Sequence, residues 1–284
     1  MHPTLRRIIF SDKKGIGSLK LLGKWDIHTY PIESIKRVRL VRRADGYYCQ
    51  FAIHIERQET LPATGSAIGL DVGLENFYTD SNGHQEPNPK FLAKAEKSIK
   101  HAQRLIYKKK KGKNNRRKAR SRYSKKHLKV SRQRTEHAKR LARHVTQSND
   151  LVAYEDLSVR NMVKNHCLAK SINDASWYLF RQWIEYFARI FGRTAVAVSP
   201  RYTSQKCSNC GVKVKKSLST RTHVCSCGYT AHRDTNAAIN ILNLALQARD
   251  GQSRRNAKGV ETTTLLGESL VEQVSTTNLE SPCL

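Results

Sequence analysis

Three acidic residues occupy unusual places in the sequence for a carboxylate. Asp71 interrupts the apolar segment A-I-G-L-D-V-G-L (67–74), Glu155 ends the apolar segment L-V-A-Y-E (151–155), and Asp234 opens a periodic helical pattern. A carboxylate in a buried strand is costly unless a partner or a cation neutralises it. Carboxylates that hold two divalent ions, Mg²⁺ or Mn²⁺, can stabilise the attacking and leaving oxygens of phosphodiester hydrolysis. The three acids therefore predict a catalytic cation site.

Two of these acids have a simpler explanation as well. Asp234 stands where an acid caps a helix and complements its dipole. Glu155 could form an ion pair with basic residues elsewhere in the chain. Asp71 is the hardest to explain without a cation, but sequence spacing does not show that the three side chains converge.

Four cysteines offer a second metal site. Cys207-x-x-Cys210 and Cys225-x-Cys227 supply four thiolates within 21 residues, as a tetrahedral zinc site requires. Four thiolates leave no open position, so the zinc would be structural. His223 or His232 could replace a poorly placed sulfur, and a redox C-x-x-C is the other alternative, although it does not require the second pair.

The positive charge is concentrated in one block. Of the net +29 on 284 residues, the stretch from Lys94 to Arg143 contributes 22 Lys or Arg against two acids. Such density favours a nucleic-acid partner with salt-sensitive binding, and a solvated helix or disordered arm is the alternative. The predicted nucleic-acid contacts are Lys108, Lys109, Lys110, Lys111, Arg116, Arg117, Lys118, Arg120 and Arg122, together with Tyr202, Thr203 and Gln205, which could equally be plain loop.

Neither a membrane span nor a secretion signal is visible in the sequence. No apolar run approaches the roughly 18 to 20 residues that a span needs, and the first residues lack an apolar signal core. We therefore expect a cytoplasmic protein.

The chain before Asp71 reads as a small β-rich module over residues 1–60. Alternating apolar and polar residues predict strands at 19–22, 35–43 and 47–56, with a turn at Asp45-Gly46 between the last two. Residues 61–66, which include Pro62 and Gly65, read as a linker.

The remainder alternates strands and helices, which predicts an α/β domain over 66–248. We expect strands at 67–74, 151–155 and 194–198, a turn at Asn82-Gly83, a basic helical hairpin at 92–146 that breaks at 108–115, helices at 174–191 and 234–248, a cysteine module at 206–231, and a disordered polar tail at 249–284.

Four segments in this order resemble the transposon-encoded TnpB (OrfB) family, compact relatives of the type V CRISPR effectors. They are G-L-D-V-G (69–73), Y-E-D-L (154–157), Y-T-S-Q-K-C-S-N-C-G (202–211) and H-R-D-T-N-A-A-I-N-I-L (232–242). The resemblance spans about residues 10–248. Each segment alone is a weak signal, and the four in order, with a basic block and a cysteine module between them, are specific.

The resemblance implies a RuvC-like nuclease domain of RNase H-like fold, with the helical hairpin and a zinc ribbon inserted, after a partial wedge-like module. It implies that Asp71, Glu155 and Asp234 are the first, second and third catalytic acids. The implied activity is RNA-guided, Mg-dependent cleavage of DNA in a prokaryotic, nucleoid-associated setting, with guide RNA from the transposon's own end.

The sequence departs from the family pattern in three places. The second cysteine pair is C-x-C, His232 stands where the family often has Asp, and the region before Asp71 is shorter than in typical members. The short region keeps a second function open, a truncated, non-catalytic nucleic-acid-binding protein of an insertion sequence. A basic zinc-ribbon protein of the ribosome or transcription machinery would explain the charge and cysteines but not Asp71.

Overall fold

The computed structural model describes residues 7–10, 15, 17–22, 29–217 and 220–256. Its centre is a five-stranded mixed sheet. The strands are β5 (Ala67–Val72), β6 (Asn76–Asp80), β7 (Gln85–Pro87), β8 (Leu151–Glu155) and β9 (Thr194–Val198), in the order β7-β6-β5-β8-β9. Strands β5, β8 and β9 run parallel, whereas β6 and β7 are antiparallel to their neighbours.

Strand β8 lies between two parallel neighbours, and its sequence explains that position. Leu151, Val152, Ala153 and Tyr154 are all buried. A continuous apolar run of this kind is typical of a parallel strand covered on both faces. Strands β8 and β9 have the predicted bounds, and Gly83, with φ of +89°, forms the predicted turn before β7.

Helices α1 (Phe91–Tyr107) and α2 (Asn114–Ser148) form the predicted pair of basic helices, and the break between them is limited to 108–113. The helices α3 (Val159–Met162), α4 (His166–Ala175), α5 (Trp177–Phe191) and α6 (Arg233–Asn256) follow. The predicted single helix 174–191 was wrong at its start. Ser176, with φ of +58°, takes a left-handed conformation that separates α4 from α5.

The main core lies between the sheet and helices α2 and α5. The apolar face predicted for α5 is buried, and it packs against small residues of α2, including Ala138 and Ala142. Small side chains there let the two helices approach closely. Trp177, Phe180, Ile184, Phe187 and Phe191 are the residues of that face.

Asp174 joins three helices through its buried carboxylate. It accepts hydrogen bonds from the backbone amides of Leu92 (2.9 Å) and Ala93 (3.2 Å) and from the Arg134 guanidinium (2.9 Å). Helix α1 has no side-chain cap of its own. An acid from α4 therefore satisfies the amides that begin α1 and ties α1 to α2.

The module before the sheet consists of two hairpins. Strands β1 (Arg7–Phe10) and β2 (Gly17–Lys20) pair, as do β3 (Ile35–Arg43) and β4 (Gly46–Ile53). Arg132 of α2 donates to Asp45 Oδ2 (2.7 Å) and to the Tyr48 hydroxyl (2.8 Å) at the tip of the second hairpin. The predicted hairpin turn is therefore confirmed, and residues 54–66 contain neither helix nor strand.

Helix α6 is longer than the sequence predicted. It continues to Asn256, so the first residues assigned to a disordered tail are helical, and 257–284 lie outside the described residues. The chain divides at Leu242 into two compact units, and Arg233–Leu242 belongs to the unit that contains the sheet. Within the described ranges, no helix is long and apolar enough to cross a membrane.

Candidate functional site

The register of the sheet brings Asp71 beside Glu155. Strands β5 and β8 are parallel, with Leu70 opposite Tyr154. One residue further on, Asp71 and Glu155 are neighbours and project from the same face, because side chains alternate along both strands. The two acids were 84 positions apart in the sequence, and strand pairing alone makes them adjacent.

Helix α6 brings Asp234 to the same face. A Cβ atom on Gly69 would lie 2.2 Å from the Ala238 carbonyl oxygen and 2.8 Å from the Leu242 amide nitrogen, so α6 packs directly on β5. Asp71 shares the face of Gly69, two residues along the strand, and Asp234 lies one turn before Ala238. Gly69 is the first residue of the segment G-L-D-V-G, which carries part of the family resemblance, but the sequence did not predict that α6 packs against it. A glycine inside a strand does signal a close backbone approach.

The three carboxylates influence one another electrostatically. Burial raises the pKa of Asp71 well above its usual range, and the charges of Glu155 and Asp234 raise it further, with Arg233 acting in the opposite direction. Burial also raises the pKa of Glu155, and a hydrogen bond from Thr203 opposes that shift. Like charges at a partly buried site repel one another, and a bound cation would reduce that repulsion.

The simpler explanations for these acids match the structure only in part. Helix α6 begins at Arg233, so Asp234 is its second residue and not its N-cap, although an acid in the first turn does complement the helix dipole. Glu155 forms no ion pair with the described residues of α1 and α2, and its hydrogen-bond donor is the Thr203 hydroxyl, at 2.5 Å.

The four cysteines converge. Their sulfurs all lie within 4.8 Å of one another, and in the described part of the chain they are the one group of three or more potential metal ligands so close together. Cys207 Sγ lies 3.8 Å from Cys227 Sγ, and Cys210 Sγ lies 3.5 Å from Cys225 Sγ. Tetrahedral zinc with Zn–S bonds of about 2.3 Å requires sulfurs about 3.8 Å apart. The cluster is therefore compatible with a zinc site.

Each cysteine pair sits in a tight turn closed by the backbone. The Gly211 amide donates to the Cys207 carbonyl (2.9 Å) and the Gly228 amide donates to the Cys225 carbonyl (3.0 Å). Both glycines have left-handed φ angles, +77° and +85°, which glycine adopts without strain. The bond at the shortened C-x-C pair spans three residues and that at the C-x-x-C pair spans four, so each turn is closed by a glycine directly after its second cysteine.

Neither histidine considered as a substitute ligand belongs to the cluster. His223 is buried with Nδ1 against the Lys216 ammonium, and His232 Nδ1 lies 3.4 Å from Gln85 Nε2.

The backbone amide of Tyr229 lowers the pKa of Cys227 to about 6, which favours the thiolate that a metal needs. Two short strands, β10 (Thr222–Val224) and β11 (Thr230–His232), carry the second pair toward α6.

Most of the predicted nucleic-acid contacts are exposed, and three of them have partners within the protein. Lys108–Lys111, Arg117, Lys118, Arg120 and Arg122 are exposed on the α1–α2 hairpin. Arg116 donates to the carbonyls of Ile106 and Lys109, both at 3.0 Å, and so caps α1. Thr203 is buried and donates to Glu155, whereas Tyr202 is half exposed with the Lys213 ammonium 3.5 Å from its ring centre.

Two family comparisons cover most of the domain built on the sheet. Residues 50–166 match the family OrfB_IS605, described as a probable transposase. Residues 177–241 match the Cas12f1-like TNB domain. The first range includes Asp71 and Glu155, and the second includes the four cysteines and Asp234.

Named relatives point to the same family. A putative RNA-guided DNA endonuclease of Streptomyces pristinaespiralis is 38% identical over 189 residues, which cover 66% of this chain and 47% of the relative. The putative RNA-guided DNA endonuclease InsQ of Escherichia coli K12 is 29% identical over 225 residues, 73% of this chain and 56% of the relative. The chain thus spans about half the length of these relatives. Its matches to the OrfB_IS605 transposase and Cas12f1-like TNB domains confirm the predicted resemblance to the TnpB (OrfB) family.

One solved structure that aligns with this chain is that of a Cas12f1–sgRNA–target DNA complex. It aligns with a TM-score of 0.47 and 18% identity, covering 72% of this chain and 55% of that one.

Proposed function

We propose that this chain is a transposon-associated, RNA-guided DNA endonuclease that hydrolyses phosphodiester bonds at a site formed by Asp71, Glu155 and Asp234. The observation that carries the proposal is the convergence of these acids on one face of the sheet, through the β5–β8 register and the seating of α6 on Gly69. The strand order β7-β6-β5-β8-β9, with β6 antiparallel, supports a RuvC-type domain of RNase H-like fold.

The donor set fits a pair of divalent cations. Magnesium and manganese prefer carboxylate oxygens, and burial together with the charges of Glu155 and Asp234 raises the pKa of Asp71, which a bound cation would counteract. The three acids are not among the groups whose ligand atoms all lie within 4.8 Å, so they are spread more widely than the shell of one ion. When bound, two cations would stabilise the charge on the attacking and leaving oxygens.

The chain's own residues have two parts in this reaction. Asp71, Glu155 and Asp234 would hold the cations through their carboxylate oxygens, and the Thr203 hydroxyl fixes one oxygen of Glu155. The partly buried setting strengthens these interactions, because charges attract more strongly away from bulk water.

The nucleic-acid partners are proposed from charge and from relatives. The exposed lysines and arginines of the α1–α2 hairpin would contact phosphates of DNA or guide RNA. Relatives named as putative RNA-guided DNA endonucleases support a guide RNA as a partner, and its origin at the transposon end is proposed from the resemblance of the sequence alone. In this proposal residues 1–60 form part of a wedge-like module, 66–248 the nuclease domain, and 206–231 a zinc ribbon.

One observation favours a second function. The exposed lysines and arginines of the α1–α2 hairpin and the converged cysteines form a nucleic-acid-binding surface and a compact metal cluster that do not depend on the three acids. A protein that uses only these two features would bind nucleic acid without cutting it.

The deciding experiment uses the full chain with the RNA that co-purifies with it, incubated with plasmid DNA and Mg²⁺. Asp71→Asn removes one ligand charge with little change in shape, and we expect cleavage to fall by more than about 100-fold, the equivalent of a few kcal/mol. Asp156→Asn is the matched control, because Asp156 is exposed and pairs with Arg181. It should cut like the parent.

The two functions give different results in this assay. Cleavage by Asp71→Asn at the parental rate would refute the site. Tight, salt-sensitive binding by the parent with no nicking under Mg²⁺ or Mn²⁺ would select the non-catalytic function.

A further inference from the structure

Thr203 is buried, although it lies in the loop between β9 and the cysteine cluster. It is 4% exposed, and its hydroxyl donates to Glu155 Oε1 at 2.5 Å. A threonine hydroxyl has one proton, so this bond commits it to the carboxylate. One oxygen of Glu155 is thereby fixed, and the other is left for a cation.

The loop that holds Thr203 is fastened to α6 by two asparagines one turn apart. Asn240 Nδ2 donates to the carbonyls of Thr203 and Lys206, both at 2.8 Å. Asn236 Nδ2 also donates to the Lys206 carbonyl (2.8 Å), and Asn236 Oδ1 accepts from the Ser208 amide (2.9 Å). Asn236 is completely buried. These bonds hold residues 203–208, including the first zinc-ribbon cysteine, against the helix that carries Asp234.

We infer that Thr203 is a positioning residue for Glu155 and that Asn240 keeps it in place, so that the loop entering the cysteine cluster aligns the second acid with the other two. The inference rests on the proposed function and deepens it. Sequence alone did not suggest this role, since Thr203 was predicted to contact nucleic acid. The hydrogen bonds give it a partner inside the protein.

The geometry explains why this support matters. Glu155 is the last residue of β8, and the chain leaves the sheet directly after it, with the Asp156 amide bonded to the Val198 carbonyl (2.8 Å). A glutamate side chain has three rotatable bonds, so one fixed oxygen removes most of its freedom. Partners that orient a metal ligand typically change metal affinity by about 10- to 100-fold when they are removed.

The test measures Mn²⁺ binding directly, by electron paramagnetic resonance, in the full chain without nucleic acid. Asp71→Asn defines the signal from ions bound elsewhere. Thr203→Val keeps the shape and removes the hydroxyl, and we expect Mn²⁺ to bind about 10- to 100-fold more weakly. Thr203→Ser keeps the hydroxyl and should bind within about threefold of the parent, a rescue that a purely space-filling role would not produce.

Two further variants separate this role from general loss of structure. Thr146→Val removes another buried hydroxyl, one that donates to the Ala142 carbonyl in α2, and it should leave Mn²⁺ binding unchanged. Asn240→Ala should weaken binding in the same direction as Thr203→Val. The double variant should be no weaker than Thr203→Val alone, because both changes act through one contact. Zinc content should stay at about one per chain in all of them.

Each result has a distinct meaning. Parental Mn²⁺ affinity in Thr203→Val would overturn the inference while leaving the proposed function intact. Equal weakening in Thr203→Ser and Thr203→Val would also overturn it, since the hydroxyl would then have no special role. A parent chain that binds no more Mn²⁺ than Asp71→Asn would overturn the proposed function and this inference together.

Discussion

At the scale of single residues, ionised Asp71 lowers the stability of the folded chain. Asp71 lies partly buried on β5 next to two other acids, and its pKa is raised well above the ordinary value. Folding therefore favours its protonated form, whereas a divalent cation would favour the ionised form. A residue that opposes folding in the metal-free chain is hard to explain by structure alone, and it is expected at a site built to bind a cation.

This cost predicts that Asp71→Asn stabilises the chain when no Mg²⁺ is present. An acid whose pKa is raised by folding contributes nothing unfavourable below its unfolded pKa, near 4, and becomes destabilising as the pH rises above that value. The gain in unfolding free energy should appear above about pH 4, grow as the pH rises toward the raised pKa of Asp71 in the folded chain, and level off beyond it. Urea unfolding at several pH values measures it.

Added Mg²⁺ supplies the second half of this prediction. It should stabilise the parent and not Asp71→Asn, because only the parent retains the complete set of ligands. Asp156→Asn should behave like the parent throughout. A variant no more stable than the parent at neutral pH would mean that Asp71 already has a sufficient charge partner.

At the scale of elements, the decisive contact is that of strand β5 with helix α6. The sheet register can align Asp71 with Glu155, but Asp234 comes from a helix that begins 161 residues after β5 ends. The absence of a side chain at Gly69 lets the α6 backbone lie against the strand. Helix position and strand register together therefore define the site.

We expect Gly69→Ala to destabilise the chain and to disturb the site. Its new Cβ would lie 2.2 Å from a backbone oxygen, which cannot move without shifting α6. The loss should reach about 3 kcal/mol, at the upper end of the range for overpacking. Gly73→Ala is the control, because a Cβ atom added there would lie 3.1 Å from its nearest neighbour, the Asn76 carbonyl oxygen. It should lose about 1 kcal/mol. Equal losses in the two variants, measured by urea unfolding, would argue against tight packing at Gly69.

At the scale of the whole molecule, charge is distributed unevenly. The carboxylate cluster lies on the sheet and the loop that enters the cysteine cluster is bonded to α6, whereas the α1–α2 hairpin carries a dense set of exposed lysines and arginines. The backbone amides and carbonyls of the two helices are hydrogen-bonded within each helix, and residues on one face of the hairpin are buried. The hairpin is therefore an ordered element and not a disordered arm. An ordered basic surface is suited to holding a phosphate backbone in a defined place.

Replacing Lys108–Lys111 by glutamine should weaken binding to duplex DNA and reduce its dependence on salt. Each lost phosphate contact lowers the slope of log K against log salt by about 0.9, so the four changes should lower it by roughly 2 to 4. The matched control replaces Lys36, Arg37, Arg42 and Arg43 of β3, which are also exposed. An equal reduction in both would show that binding follows net charge and not the hairpin surface.

The sequence by itself determined the larger elements, because these depend on local patterns. The buried run of β8, the aromatic face of α5 and the paired basic helices follow from the spacing of apolar residues, whereas β9 is a strand with only Val198 buried. The elements β1, α3, α4, β10 and β11 were not predicted, and the predicted strands 19–22, 47–56 and 67–74 correspond to β2, β4 and β5 with different ends. Two helix boundaries failed for local reasons. Ser176 adopts a left-handed conformation that no propensity predicts, and α6 extends past the last strongly apolar residues.

Only the tertiary structure decided which residues meet. Asp71, Glu155 and Asp234 could each be named from the sequence, yet their proximity depends on strand register and on how closely α6 approaches Gly69. The same holds for Thr203, which the chain turns inward to Glu155, and for Arg116, which caps α1. Contacts between residues far apart in the chain arise from the packing of whole elements, and the pattern within one element does not record its neighbours.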